Sequence, residues 1–116
     1  MTYAKTDSFS EHFQQLAELA KVLSHPARLT ILDLLSRTES CISGDITQQL
    51  PLSRTTISQH LQELKRYGLI KGEVTGNKVY YCIDKVKWEE AQQQLMLFLQ
   101  QVDRVKNFSC KPTDGC

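Results

Sequence analysis

Two groups of residues carry chemistry in this sequence. The first is sulfur: cysteines stand at positions 41, 82, 110 and 116. The last two enclose Lys111-Pro112-Thr113-Asp114-Gly115, whose proline and glycine favour a turn. A short loop of this kind brings two sulfurs onto one ion at small entropic cost, and thiolates select soft metals. Cys82, between Tyr81 and Ile83, reads as a small apolar packing residue. His12 and His25 read as a surface group and a helix-junction group. The second group is the polar run Ser53-Arg54-Thr55-Thr56-Ile57-Ser58-Gln59-His60. Hydroxyl, amide and guanidinium side chains on one helix face are the groups that meet base edges and phosphates.

The charge balance tests the second reading. The chain has 116 residues and a formal net charge of +1, which by itself argues against a polyanionic partner. The charges are unevenly placed. Residues 1–52 carry 4 basic and 6 acidic side chains, whereas residues 53–78 carry Arg54, Lys65, Arg66, Lys71 and Lys78 against Glu63 and Glu73. A local excess of +3 is what phosphate neutralisation requires. Lys65 and Lys78 therefore join Ser53, Arg54, Thr55, Ser58 and Gln59 as the candidate DNA-contacting set. Arg54 suits either a guanine edge or a phosphate.

These residues need a scaffold. A content of 41% apolar residues supports one modest core. Ser8 and Glu11 fit a capping box at the head of a helix over 9–23, with Phe9, Phe13, Leu16, Ala17, Ala20 and Leu23 at helical spacing. Pro26 suits the first turn of a second, mostly buried helix over 26–36 that carries Leu29, Ile31, Leu32, Leu34 and Leu35. Ser43-Gly44-Asp45 opens a short helix with Ile46 and Leu50 on one face, stopped by Pro51. Ser53 caps the next helix, whose inward positions are Ile57, Leu61 and Leu64 and whose end is marked by Gly68. Two helices joined by so short a link form a helix-turn-helix. Leu69–Thr75 and Val79–Asp84 read as strands around a Gly76-Asn77-Lys78 turn. A last helix over 86–107 places Trp88, Ala91, Leu95, Phe98, Val102 and Val105 at steps of 3 and 4, the seam of a helix pair. An exposed seam is costly on a small monomer, so the first and last helices are expected to form a two-fold dimer interface. The domain is expected over 1–107 and a cysteine-containing tail over 108–116. No stretch is long and apolar enough to span a membrane, and no apolar run follows Met1-Thr2-Tyr3-Ala4-Lys5. The expected location is cytoplasmic, where thiols stay free.

Residues from about 12 to 106 resemble the ArsR/SmtB family of winged-helix repressors. The likeness rests on Leu23-Ser24-His25-Pro26-Ala27-Arg28-Leu29-Thr30-Ile31-Leu32, Leu52 to Leu61, Leu64-Lys65-Arg66-Tyr67-Gly68-Leu69-Ile70 and Gly76-Asn77-Lys78-Val79-Tyr80-Tyr81, in that order. The resemblance implies a mainly α fold with a β-hairpin wing, a homodimer, a palindromic double-stranded operator and release by an inducer. It makes the helix after Ser53 the recognition helix and residues 76–78 the wing tip. It also adds Thr56 and His60 to the residues at or near DNA; His60 suits equally a hydrogen bond that holds the helix.

The resemblance also bears on what is sensed. The family's frequent thiol site is a Cys-x-Cys followed by Asp, and here Cys41-Ile42-Ser43-Gly44-Asp45 has lost the second cysteine. Its frequent zinc site on the last helix needs histidine, and residues 86–107 contain none. The tail pair Cys110 and Cys116 is left. Likeness to arsenic-responsive members implies trivalent arsenic or antimony as inducer. Such an ion takes three sulfurs, with Cys41 as third ligand from either chain. The alternative is a redox input in which two thiols oxidise to a disulfide or persulfide. No Cys-x-x-Cys, Gly-rich nucleophile elbow or phosphate-binding glycine loop occurs, so no enzyme and no organic cofactor are expected.

Overall fold

The computed structural model describes residues 8–38, 41–43, 46 and 49–105. Its elements are α1 (Glu11–Val22), α2 (Pro26–Ser36), β1 (Ile42–Ser43), α3 (Arg54–Tyr67), β2 (Ile70–Thr75), β3 (Lys78–Ile83) and α4 (Lys85–Val102). A 3-10 turn over Asp103–Val105 follows α4.

Local chemistry sets most boundaries. The Ser53 hydroxyl accepts from the backbone N–H of Thr56 at 3.2 Å and starts α3. Gly68 ends that helix at φ +108°, where its N–H donates to the Leu64 carbonyl. A side chain at Gly68 would also crowd Lys87, whose Cε lies 3.2 Å from where a Cβ would stand. Pro26 opens α2, and the His25 ring caps it by accepting from the Ala27 N–H at 3.0 Å. Asp84 caps α4 in the same way through Lys87.

The sheet is antiparallel in the order β1-β3-β2. β2 and β3 form the hairpin, in register from Ile70↔Ile83 to Thr75↔Lys78, with Gly76 at φ +66° in a two-residue turn. β1 adds Ile42↔Tyr81 and Ser43↔Tyr80 on the other edge. The core lies between α1, α2, α3 and the sheet, centred on Leu19, Ile31, Ile57, Leu64, Leu69 and Ile70. The mainly α fold with a hairpin wing is therefore the observed one.

Several expectations need correction. The cap of α1 is Ser10, which accepts from the Phe13 N–H, and the helix starts two residues later than the Ser8–Glu11 box implied. Phe9 and Phe13 are exposed, and so is Leu29 on α2. Ser43 is the last residue of β1, where it pairs with Tyr80 of β3. Ile46 and Leu50 are buried as expected, while residues 44, 45, 47 and 48 of that predicted helix lie outside the described residues. The last helix stops being α-helical at Val102, short of the expected Asn107, itself outside the described residues.

Candidate nucleic-acid interface and the cysteine cluster

α3 divides its residues cleanly. Ile57, Leu61 and Leu64 point into the core, and Arg54, Thr55, Ser58 and Gln59 are exposed. The inward anchors hold the backbone, so the outward side chains stand on a rigid helix beside the wing. A cleft of about 370 Å³ opens between them, lined by Arg54 and Ser58 from α3, Asn77 and Lys78 from the hairpin tip, and Ser43 from β1. The fold thus joins three predicted residues, Arg54, Ser58 and Lys78, on one concave surface. Asn77 was not singled out from the sequence; its place in the turn was the available signal.

The other predicted positions separate. Ser53 and Thr56 are engaged in the cap, where the Ser53 hydroxyl donates to Thr56 Oγ1 at 2.9 Å. Lys65 lies in the last turn of α3, and its Nζ approaches Gly72 of β2 closely enough to meet a Cβ there at 3.3 Å. It packs along β2 and is not among the residues that line the cleft. Arg66 pairs with Glu63 at 2.6 Å. The Arg66 hydrogen bond holds the Glu63 carboxyl below its ordinary value. Both side chains are well exposed, so the pair adds little stability.

His60 is buried at 8% exposure. Its Nδ1 accepts from Arg28 Nε at 3.1 Å, and its ring centroid lies 4.3 Å from that of His25. Arg28 also donates to the Val22 carbonyl at the end of α1. One guanidinium thus ties α1, α2 and α3 together through His60. Burial, then the neighbouring His25 and Arg28, hold the His60 ring below its ordinary value and keep it neutral. Arg28 as the partner was not legible in the sequence, because 32 positions separate the two residues.

The cysteines are arranged differently from the expectation. Cys41 and Cys82 form a disulfide, with Cα atoms 4.5 Å apart. Cys82 is not a core residue: it is half-buried, on the sheet face opposite buried Tyr81. Nor are these two thiols free. The reason is β1, which lays the residue before Ile42 level with Cys82 on β3. A two-residue strand is too short to produce a periodicity, so nothing local announced the pairing. Glu73 of β2 brings a carboxylate to the same place, its oxygen and the two sulfurs lying within 4.8 Å of one another. Cys110 and Cys116 lie outside the described residues. Among the described residues, no helix is long and apolar enough to cross a membrane.

Comparison with known proteins gives the same architecture. A helix-turn-helix domain family matches residues 23–73. The arsenical resistance operon repressor of Staphylococcus xylosus is 39% identical over 72 residues, which span 62% of this chain and 68% of the repressor. An ArsR-like transcriptional regulator from Rhodococcus sp. RHA1 superposes with a TM-score of 0.64 at 26% identity, covering 79% of this chain and 86% of that one. The homodimeric winged helix-turn-helix DNA-binding domain Mb0332 of Mycobacterium bovis, a possible ArsR-family regulator, superposes with a TM-score of 0.57 at 27% identity. That match covers 85% of this chain and 89% of the domain.

Proposed function

The chain belongs to the ArsR/SmtB family of winged helix-turn-helix transcriptional regulators, and we propose that it is a homodimeric, operator-binding repressor released by trivalent arsenic or antimony held on thiolates. The observation that carries the DNA-binding part is the cleft between α3 and the wing tip. It presents Arg54, Ser58, Asn77 and Lys78 together, on the segment that holds the chain's positive excess. With α3 in a major groove, Arg54, Thr55, Ser58 and Gln59 face base edges and backbone, and Lys78 meets an adjacent phosphate. A two-fold partner would set the second α3 about 34 Å along the duplex.

The apolar surface of α1 and α4 supports the dimer. Phe9, Phe13, Met96, Leu97, Leu99 and Val102 are exposed on these two helices and their approach. Phe13 and Phe98 already meet edge to face at 6.1 Å, so the two helices form one continuous apolar surface. In this reading Cys110 and Cys116 provide two sulfurs for the inducer. Cys41 is the third, in the state in which it is not bonded to Cys82.

The test is fluorescence anisotropy on a duplex selected by the protein from a random DNA pool. Arg54→Ala is expected to weaken binding by about 10- to 100-fold, and Lys78→Ala to reduce the salt slope by about one. Arsenite is expected to release the wild type and to leave the Cys110→Ser, Cys116→Ser double variant bound. Full release of that variant would overturn the inducer assignment while leaving the DNA assignment intact.

A further inference from the structure

We propose that Cys41, Cys82 and Glu73 form a binding site for a soft divalent cation such as Cd²⁺ or Zn²⁺, distinct from the tail cysteines and available only when the disulfide is reduced. The three ligand atoms already lie within 4.8 Å of one another. A tetrahedral ion with metal–sulfur bonds of about 2.3 Å and a metal–oxygen bond of about 2.1 Å holds its ligand atoms about 3.5–3.8 Å apart. The side chains therefore need rotamer changes, not a rearrangement of strands. Two thiolates and a carboxylate suit a borderline or soft ion and leave the fourth position for water.

The sheet explains why these residues converge. Cys82 on β3 faces Lys71 of β2 in register, and Glu73 is two residues further along the same face of β2. Diagonal neighbours across a strand pair are within reach of a long side chain. On the other edge, Cys41 immediately precedes the Ile42↔Tyr81 pair. The donors thus come from β2, β3 and the residue that leads into β1, and one ion would clamp the three strands at the base of the wing. Cys41 and Cys82 are half-buried and Glu73 is exposed, so an ion has access from solvent.

The two states of the sulfurs exclude each other. A dithiol reductant cleaves the Cys41–Cys82 bond by two exchange steps. Its own sulfurs end joined in a disulfide, and each cysteine gains one proton. The cation then displaces those two protons and binds both thiolates. Exchange with a small-molecule disulfide, which is reduced to two thiols, re-forms the Cys41–Cys82 bond and closes the site; reduction by the dithiol opens it.

The experiment titrates Cd²⁺ into the full chain carrying Cys110→Ser and Cys116→Ser, reduced with a phosphine, and follows the ultraviolet sulfur-to-cadmium charge-transfer band. The expected result is saturation at one ion per chain. The same protein with its disulfide intact shows no band. Cys82→Ser abolishes the band, with far-ultraviolet circular dichroism reporting that the chain is folded. Glu73→Gln keeps the band and weakens affinity about tenfold or more. A band of undiminished intensity in the oxidised protein, or none in the reduced one, overturns the proposal. Because the tail thiols are absent and no DNA is present, the outcome is independent of the inducer reading.

Discussion

The unit of α3 and the hairpin and the α1–α4 layer solve the same packing problem with opposite results. α3 buries Ile57, Leu61 and Leu64 to between 0 and 2% exposure and turns a polar face outward. α4 is longer, at 18 residues against 14, yet has a single buried residue, Ala91. Trp88, Leu95 and Phe98 are only half-covered, and Met96, Leu97, Leu99 and Val102 are exposed. One helix is finished within its own chain, because its apolar face meets the core and its outer face is polar. The other is apolar on more than one side, so intramolecular packing leaves part of it in water. The difference teaches where each element's stability comes from: α3 is completed by its own core, whereas α4 keeps apolar surface that the proposed second copy would cover.

The largest effect expected of breaking this contrast is inside α3. Leu64→Ala removes a fully buried side chain and is expected to cost about 2–5 kcal/mol, read as a lowered urea midpoint against wild type at the same protein concentration. Leu99→Glu tests the other side. It sets a charge on the 57%-exposed face of α4 and is expected to leave the protomer folded while sedimentation shifts from dimer to monomer. A dimer that survives this change would mean that α4 is not at the interface.

Smaller effects sharpen how α3 is held. Ser53→Ala leaves the Thr56 N–H without its cap and is expected to cost about 1 kcal/mol in thermal unfolding. The smallest effect is one of pH. His60 is held below its ordinary value of 6.5, so the unfolded chain takes up a proton there before the folded one does. Its contribution is fully present above pH 6.5 and is lost as pH falls through the lower folded value. The melting temperature of wild type should therefore drop more steeply on acidification below that point than that of His60→Gln.

Legibility followed the same division between local and distant causes. The start of α2 at Pro26, the cap at Ser53, the end of α3 at Gly68 and the inward triplet Ile57, Leu61 and Leu64 were all readable, because each depends on residues within one or two turns. The exposure of Arg54, Thr55, Ser58 and Gln59 was readable for the same reason, as the outward complement of that triplet, whereas the burial of His60 was not. Phe9, Phe13 and Leu29 were not, since helical spacing shows which residues share a face and not whether anything covers it. β1 escaped because two residues carry no period, and with it went the Cys41–Cys82 contact across 41 positions.

What the sequence by itself determined is the order of the four long helices and the hairpin, the outward polar face of α3 and the segment where positive charge collects. These follow from short-range sterics, capping hydrogen bonds and composition. Only the tertiary structure decided that His60 is a buried acceptor for Arg28, that Arg54, Ser58 and Lys78 share one cleft, and that Cys41, Cys82 and Glu73 meet on a sheet face. Each of these depends on how elements distant in the chain pack against one another, and that packing is settled by burial of the whole core and not by any local run of residues.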